Sequence, residues 1–208
     1  MARQTAISIN TIPIGPLGII GMPGCEELTD KIDKYLVKWR KTQASEHAES
    51  IAFFGYQRDT YKIDVSIPRF GSGEGKGVIN ESVRGYDIYI VCDVFNYSCS
   101  YDMYGRKVYM SPDDHFADLK RVISALCSKP KRVSVIMPML YEGRHHKRSS
   151  RESLDCAMAL KELVHLGVEN IITFDAHDQR VQNAIPDKSF ENVMPTYQMI
   201  KALVNNVE

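Results

Sequence analysis

Arg132-Val133-Ser134-Val135-Ile136-Met137-Pro138-Met139, followed after three residues by Gly143-Arg144-His145-His146-Lys147-Arg148-Ser149-Ser150-Arg151-Glu152, decides the reading of this chain. The first segment has the apolar character and length of a buried strand. Beyond the second, Leu154, Ala157, Met158, Lys161 and Val164 begin a helix with an apolar face. Ser149 followed three residues later by Glu152 is a capping-box pattern, which predicts a helix start at about Arg151. The unpaired N–H groups and positive dipole end of such a helix would face the same space as the cationic side chains, a setting that favours phosphate. From composition alone the charge run reads equally well as a solvated loop. Its place between an apolar strand and a helix argues for a site, because ligands of open α/β sheets bind at the carboxyl ends of strands.

Outward from this segment the same alternation repeats. Leu17-Gly18-Ile19-Ile20-Gly21-Met22 is a first strand closed by Pro23-Gly24, and Leu28, Ile32, Tyr35, Leu36 and Trp39 follow at helical spacing. Residues 41–60 are polar and irregular apart from Ile51-Ala52-Phe53-Phe54, an insertion or an additional strand. Ile63 to Ile67 alternates as a half-buried strand, and Phe70-Gly71-Ser72-Gly73-Glu74-Gly75-Lys76-Gly77 must turn tightly. Tyr86 to Cys92 is a central strand, and the Tyr-rich residues 95–110 form a second insertion with the character of a hairpin. Ser111 caps a helix opened by Pro112, with Phe116, Leu119, Val122, Ile123 and Leu126 on its apolar face. Gly167 stops the helix after the cationic loop, Asn170 to Phe174 is the last clear central strand, and a terminal helix runs from about Pro195 to Val204. The expected fold is a single α/β domain with a doubly wound, mainly parallel sheet flanked by helices in three layers.

Composition narrows the class. Lys+Arg and Asp+Glu are both 26 in 208 residues, so no global charge excess points to nucleic acid or an acidic membrane. The five cysteines are scattered and never form a CxxC pair, which argues against a disulfide framework or a zinc site and for a reducing compartment. Apolar runs such as Ile88 to Val91 are far shorter than a membrane span, and the start at Met1 does not read as a secretory signal. A soluble cytoplasmic protein is expected.

The second polar constellation is Asp175-Ala176-His177-Asp178, directly after a strand and at the same sheet edge as the Arg144 loop. A carboxylate and an imidazole two residues apart can hold Mg²⁺ through few direct ligands, with water and phosphate oxygens completing the shell. The competing reading is a capping cluster, with Asp175 or Asp178 as N-cap of a short helix containing Val181.

Four motifs occur in order: Asn80-Glu81-Ser82-Val83-Arg84-Gly85, Tyr86-Asp87-Ile88, Gly143 to Arg148 with Ser150-Arg151-Glu152, and Ile171 to His177 with Gln182. In that order they resemble the ribose-phosphate pyrophosphokinase (phosphoribosyl pyrophosphate synthetase) family, across about residues 17–191 apart from the two insertions. The resemblance implies a phosphoribosyltransferase-like fold. It also implies an Mg²⁺-dependent transfer of the diphosphoryl group of ATP to ribose 5-phosphate, giving phosphoribosyl diphosphate and AMP, in a homo-oligomer that is a hexamer in the family.

Position by position, the resemblance implies that Arg144 and His145 contact ATP and that His177, with Asp175 beside it, serves Mg²⁺. Phe70, Ser72, Gly73 and Glu74 match a turn that in family hexamers reaches the adenine of a neighbouring subunit. Ser72 stands where the family has an acidic residue, His145 where it has Gln, and His146 where it has Asp; an imidazole cannot present the two-sided pattern of an amide. Nothing after Asp187 matches the family's second domain, which carries the ribose-phosphate loop. The chain is therefore expected to correspond to the amino-terminal half, inactive as a synthetase alone. The alternative is a catalytically inactive regulatory or associated subunit of the same fold.

The remaining polar residues are weighed more plainly. His146, Lys147 and Arg148 read as phosphate contacts or as a solvated edge. His115 and His165 read as surface positions on helices, Glu74 as either a site or a turn residue, and Arg84-Gly85 as a turn or an interface. Trp39, Tyr97, Tyr101, Tyr104 and Tyr109 read as packing rather than base stacking.

Overall fold

The apolar runs at residues 17–21, 87–91, 132–137 and 170–174 form strands that lie side by side and parallel. In the computed structural model, which describes residues 13–46 and 57–206, the chain order is β1 (Leu17–Gly21), α1 (Glu26–Glu46), β2 (Val65–Ser66), β3 (Val78–Ile79), β4 (Asp87–Val91), β5 (Ser100–Met103), β6 (Arg106–Tyr109), α2 (Pro112–Ala125), β7 (Arg132–Met137), α3 (Asp155–His165), β8 (Asn170–Phe174), a 3₁₀ helix at Gln179–Ala184, β9 (Ser189–Val193) and α4 (Thr196–Asn206). The main sheet has the order β1-β4-β7-β8-β9, every pair parallel. Residues 61–63 run along the other edge of β1, with Ile19 N–H donating to Tyr61 O and Ile63 N–H to Ile19 O, both at 2.8 Å. The strand order thus reverses at β1, as expected of a doubly wound sheet.

The period-2 rule sorts side chains between the two faces. Ile88, Ile90, Val133, Val135, Met137 and Ile171 join Leu119, Val122, Leu160 and Leu163 in the larger core under α2 and α3. Ile19 and Val91 join Tyr61 and Cys25 on the other face, where Ile32, Leu36 and Val37 of α1 pack. Across the register Asp87↔Arg132, the guanidinium grips both carboxylate oxygens of Asp87, at 2.7 and 2.5 Å, and ties β4 to β7.

Local signals explain the element ends. Ser111 caps α2 by a reciprocal capping box with Asp114, and Pro112 occupies the first turn. The second insertion is a hairpin, β5–β6, whose Tyr104 (φ 48°) and Gly105 (φ 74°) are both left-handed, as a two-residue turn with the strand twist requires. The short β2 and β3 pair antiparallel and frame the Gly-rich turn. The alternation expected for residues 63–67 holds in burial, although the ladder covers only Val65 and Ser66.

Several expectations are corrected. α3 starts at Asp155 rather than near Arg151, and Leu154, its N-cap, makes no side-chain cap. The Ser149–Glu152 contacts do form, with Ser149 N–H donating to Glu152 Oε2 at 3.2 Å, but they close a polar turn ahead of the helix. The buried face of α3 is Cys156, Ala159, Leu160 and Leu163, whereas Met158 is 56% exposed. The face of α1 is narrower than its apolar spacing implies, since Leu28, Tyr35 and Trp39 are exposed and Thr29 and Asp33 are buried; Asp33 is satisfied by Tyr61 N–H at 2.7 Å and Thr60 Oγ1 at 2.9 Å.

His115 is a buried residue, 1% exposed, not a surface position. β8 is the last central strand, as expected, and the sequence reading did not include β9, which adds an edge beyond it; with alternate exposed positions β9 carries polar residues and lacks an apolar run. The island at Ile51 to Phe54 lies outside the described residues.

Candidate functional site

The carboxyl ends of β4, β7 and β8 open into one cleft of about 660 Å³, within the range of small-molecule sites. After β7 come Met139, Leu140, Tyr141, Glu142, Gly143, Arg144 and His145; after β8, the lining continues through Phe174, Asp175, Ala176 and His177. Arg144, His145, Asp175 and His177, separated by up to 33 positions in sequence, thus share one wall system because β7 and β8 are hydrogen-bonded neighbours. The second insertion supplies Phe95 and Tyr97, and α2 supplies Pro112.

Two non-glycine residues in these loops, Glu142 (φ 55°) and Asp175 (φ 47°), hold left-handed backbone conformations. Such strain persists only where the surroundings over-determine it, and it clusters at functional sites. The Asp175 N–H donates to Val193 O at 3.1 Å, and the Ala176 N–H to Asn192 Oδ1 at 2.9 Å, so β9 braces this corner. Among the described residues neither the Arg144 guanidinium nor the Asp175 carboxylate has an ion-pair or hydrogen-bond partner. A cation and an anion left free in one cleft suit a ligand that brings phosphate together with a divalent metal.

The imidazoles behave differently from one another. His145 Nδ1 lies 3.0 Å from Asp155 Oδ2 and 3.1 Å from Glu142 Oε2, and its pKa is raised chiefly by the Asp155 hydrogen bond, then by the charge of Glu142. These three donors lie within 4.8 Å of one another, a set that can ligate a cation once the ring loses its proton. Asp155 in the first turn of α3 is stabilised by the helix dipole, so that dipole acts on a protein carboxylate rather than directly on the Arg144 loop. His146 turns inward from the loop: its Nε2 is 3.3 Å from Asp178 Oδ2, and its ring lies 5.1 Å from that of His177.

The cationic run therefore divides. Arg144 and His145 face the cleft, His146 bridges to the neighbouring loop, and Lys147 and Arg148 are exposed outside the lining. Asp178, not Asp175, is the cap of the 3₁₀ helix, accepting from Arg180 N–H at 2.9 Å. Mg²⁺ fits the free Asp175 carboxylate and the adjoining His177 as an anchor of few protein ligands, the kind this ion accepts when phosphate and water complete its shell.

Phe70, Ser72, Gly73 and Glu74 do not line the cleft of their own chain. Their turn is closed by Phe70 N–H to Glu74 O and Gly73 N–H to Phe70 O, both 2.8 Å, with Gly73 at φ 91°. Ser72 Oγ donates to Glu74 Oε2 at 2.7 Å, and Phe70 remains 59% exposed. The turn leans on the β5–β6 hairpin through Tyr104 N–H to Gly71 O at 2.9 Å. The residues missed in sequence are Phe95 and Tyr97; an aromatic-rich excursion after a central strand was the signal available for them.

The family model described as the N-terminal domain of ribose phosphate pyrophosphokinase matches residues 17–167. Ribose-phosphate pyrophosphokinase 1 of Schizosaccharomyces pombe is 28% identical over 138 residues, 65% of this chain and 30% of that protein. The ribose-phosphate pyrophosphokinase of Vibrio parahaemolyticus is 26% identical over 136 residues, 64% of this chain and 38% of that protein. Among solved structures, phosphoribosylpyrophosphate synthetase from Mycobacterium smegmatis superposes with a TM-score of 0.67 at 18% identity, covering 91% of this chain and 52% of that one. The matched region is thus about a third of the curated relatives' length and about half of the solved chain. No helix among the described residues is long and apolar enough to cross a membrane.

Proposed function

We propose that this chain, which belongs to the family of the N-terminal domain of ribose phosphate pyrophosphokinase, holds ATP and Mg²⁺ for transfer of the diphosphoryl group to ribose 5-phosphate, giving phosphoribosyl diphosphate and AMP. The observation that carries this reading is the convergence of Arg144, Asp175 and His177 on one cleft at the carboxyl ends of adjacent strands. Arg144 binds the phosphates through a guanidinium that has no protein partner among the described residues, and Asp175 with His177 would hold the metal, whose chemistry is to neutralise phosphate charge. His145, fixed by Glu142 and Asp155, presents its remaining ring nitrogen to the nucleotide.

Transfer also requires the acceptor to be held in line with the donor. The acceptor side belongs to a second domain, and the Phe70–Glu74 turn is offered outward to a neighbouring subunit of a homo-oligomer. On this reading the chain alone binds Mg²⁺-ATP and forms no phosphoribosyl diphosphate. A second reading, a nucleotide-sensing subunit without catalysis, is favoured by one observation: His145, at a position where the family has an amide, is committed to two carboxylates.

Calorimetric titration with Mg²⁺-ATP of the wild type, Arg144→Ala and His177→Ala tests the assignment. Binding that weakens at least tenfold in both variants is expected, and no binding by the wild type refutes it. Retained nucleotide binding in an assembly that never forms product, even with a complete partner domain, selects the sensing subunit.

A further inference from the structure

We propose that Tyr97 is the platform on which the base of the bound nucleotide stacks, so that the β4–α2 insertion supplies base recognition within the same chain. This inference rests on the nucleotide reading of the cleft. Tyr97 lines that cleft yet is 61% exposed, and among the described residues its ring has no aromatic, cationic or hydrogen-bond partner. The other tyrosines of the insertion are differently placed. Tyr101 lies under the Arg69 guanidinium at 4.3 Å, Tyr109 pairs with Lys107 at 5.3 Å, and Tyr104 forms the hairpin tip. None of these three lines the cleft.

A ring left exposed at a ligand site needs a backbone that does not move, and Tyr97 has one. Its neighbour Asn96 is held three ways: its carbonyl bonds the buried His115 Nε2 at 2.8 Å, its side-chain amide donates to Gly24 O at 3.0 Å, and its Oδ1 accepts from Ser98 N–H at 3.0 Å. Ahead of it, Phe95 N–H donates to Asp93 Oδ1 at 3.0 Å. The burial of His115, which the sequence reading placed on the surface, is thereby explained: it anchors the strand end that presents Tyr97. Pre-ordering the platform lowers the entropy cost of stacking.

The cleft chemistry fits an amphipathic ligand with a flat apolar end. Phe95, Tyr97, Met139 and Phe174 line it together with Arg144 and His177. Of these, Tyr97, Met139 and Phe174 are exposed large apolar side chains, an arrangement that marks a binding surface when it occurs in a cleft. Stacking tolerates any base, so Tyr97 contributes affinity while polar neighbours choose among bases.

The test compares Mg²⁺-ATP with Mg²⁺-tripolyphosphate, which has the phosphates and no base, on the full chain. Tyr97→Ala is expected to weaken ATP on the order of tenfold, as loss of one aromatic–base stack does, and to leave tripolyphosphate unchanged. Tyr97→Phe is expected to restore ATP to within about twofold, because the ring is kept. Unaltered ATP affinity in Tyr97→Ala overturns the inference while the nucleotide reading stands, and so does an equal loss for both ligands. If the wild type binds neither ligand, the nucleotide reading falls and this inference with it.

Discussion

His146 Nε2 stands 3.3 Å from Asp178 Oδ2, each side chain only 12% exposed, and this contact joins the loop that carries Arg144 to the loop that carries His177. Asp178 is held well below the usual carboxylate range, first by the Arg180 side chain, then by the Arg180 N–H, with a smaller contribution from His146. It therefore stays ionised and stands as an anion beside the imidazole. The two loops leave neighbouring strands, whose backbone pairing continues to Phe174 N–H donating to Pro138 O at 3.2 Å, and this side-chain contact spans the loops further out.

His146→Ala should loosen that junction without unfolding the sheet. Mg²⁺-ATP affinity is expected to fall roughly fivefold, the scale of one lost polar contact, while tripolyphosphate and ATP weaken in parallel because the phosphate end is affected. Equal affinities in wild type and variant, measured by calorimetry, would remove His146 from the positioning of the cleft.

His145 gives the cleft a defined pH response. Its folded pKa is raised above 6.5, mainly by the Asp155 hydrogen bond and then by Glu142, so the folded state binds the proton more tightly than the unfolded chain. The stabilisation is complete below about 6.5 and is lost as pH climbs through the raised folded value. Asp155→Asn should lower the His145 titration midpoint seen in histidine ring NMR spectra. A midpoint that does not move would show that the contact is absent in solution.

How far the sequence carried the structure depended on whether a local signal had a tertiary competitor. The strand runs at residues 87–91, 132–137 and 170–174 are mostly apolar and had none, and Ser111-Pro112 with Asp114 makes the cap it spells. Ser149 and Glu152 also find each other, yet α3 waits until Asp155, because Cys156, Ala159 and Leu160 are the side chains that can enter the core. Here packing overrode a capping pattern.

That Arg144, His145, Asp175 and His177 would share one cleft was legible because strand ends collect at one edge of a parallel sheet. Tyr97 and His115 were not. Their meaning depends on a contact between Asn96 and a helix 19 positions away, which no periodicity reports.

The thiols offer a check on the buried strand ends. Burial pushes Cys25 and Cys156 each up to about 11 and Cys92 well above its ordinary value, and Cys25 Sγ also accepts from Asp93 N–H at 3.0 Å. At pH 8 a thiol of that kind is ionised in only about one molecule per thousand. Exposed Cys127 should react first with iodoacetamide, and peptide mapping should find Cys25, Cys92 and Cys156 modified only after denaturation. Rapid native modification of Cys92 would contradict the placement of β4 at the centre of the sheet.

Asp118 tests how the Gly-rich turn is held. Its buried carboxylate, raised in pKa by desolvation, receives Arg121 and Arg69 at 2.5 Å each. Arg69 in turn donates to Gly73 O at 3.1 Å and lies over Tyr101. Removing the anion leaves Arg69, 12% exposed, without its charge partner, and severing one side of a buried pair costs about 3 kcal/mol. Asp118→Ala should lower the urea midpoint accordingly and increase amide exchange from Phe70 to Glu74. Asp118→Asn keeps a hydrogen-bond acceptor and should recover part of the loss. Should Asp118→Ala be as stable as the wild type, with unchanged exchange in the turn, the arginine pair would be incidental and the turn would be held by its own backbone bonds alone.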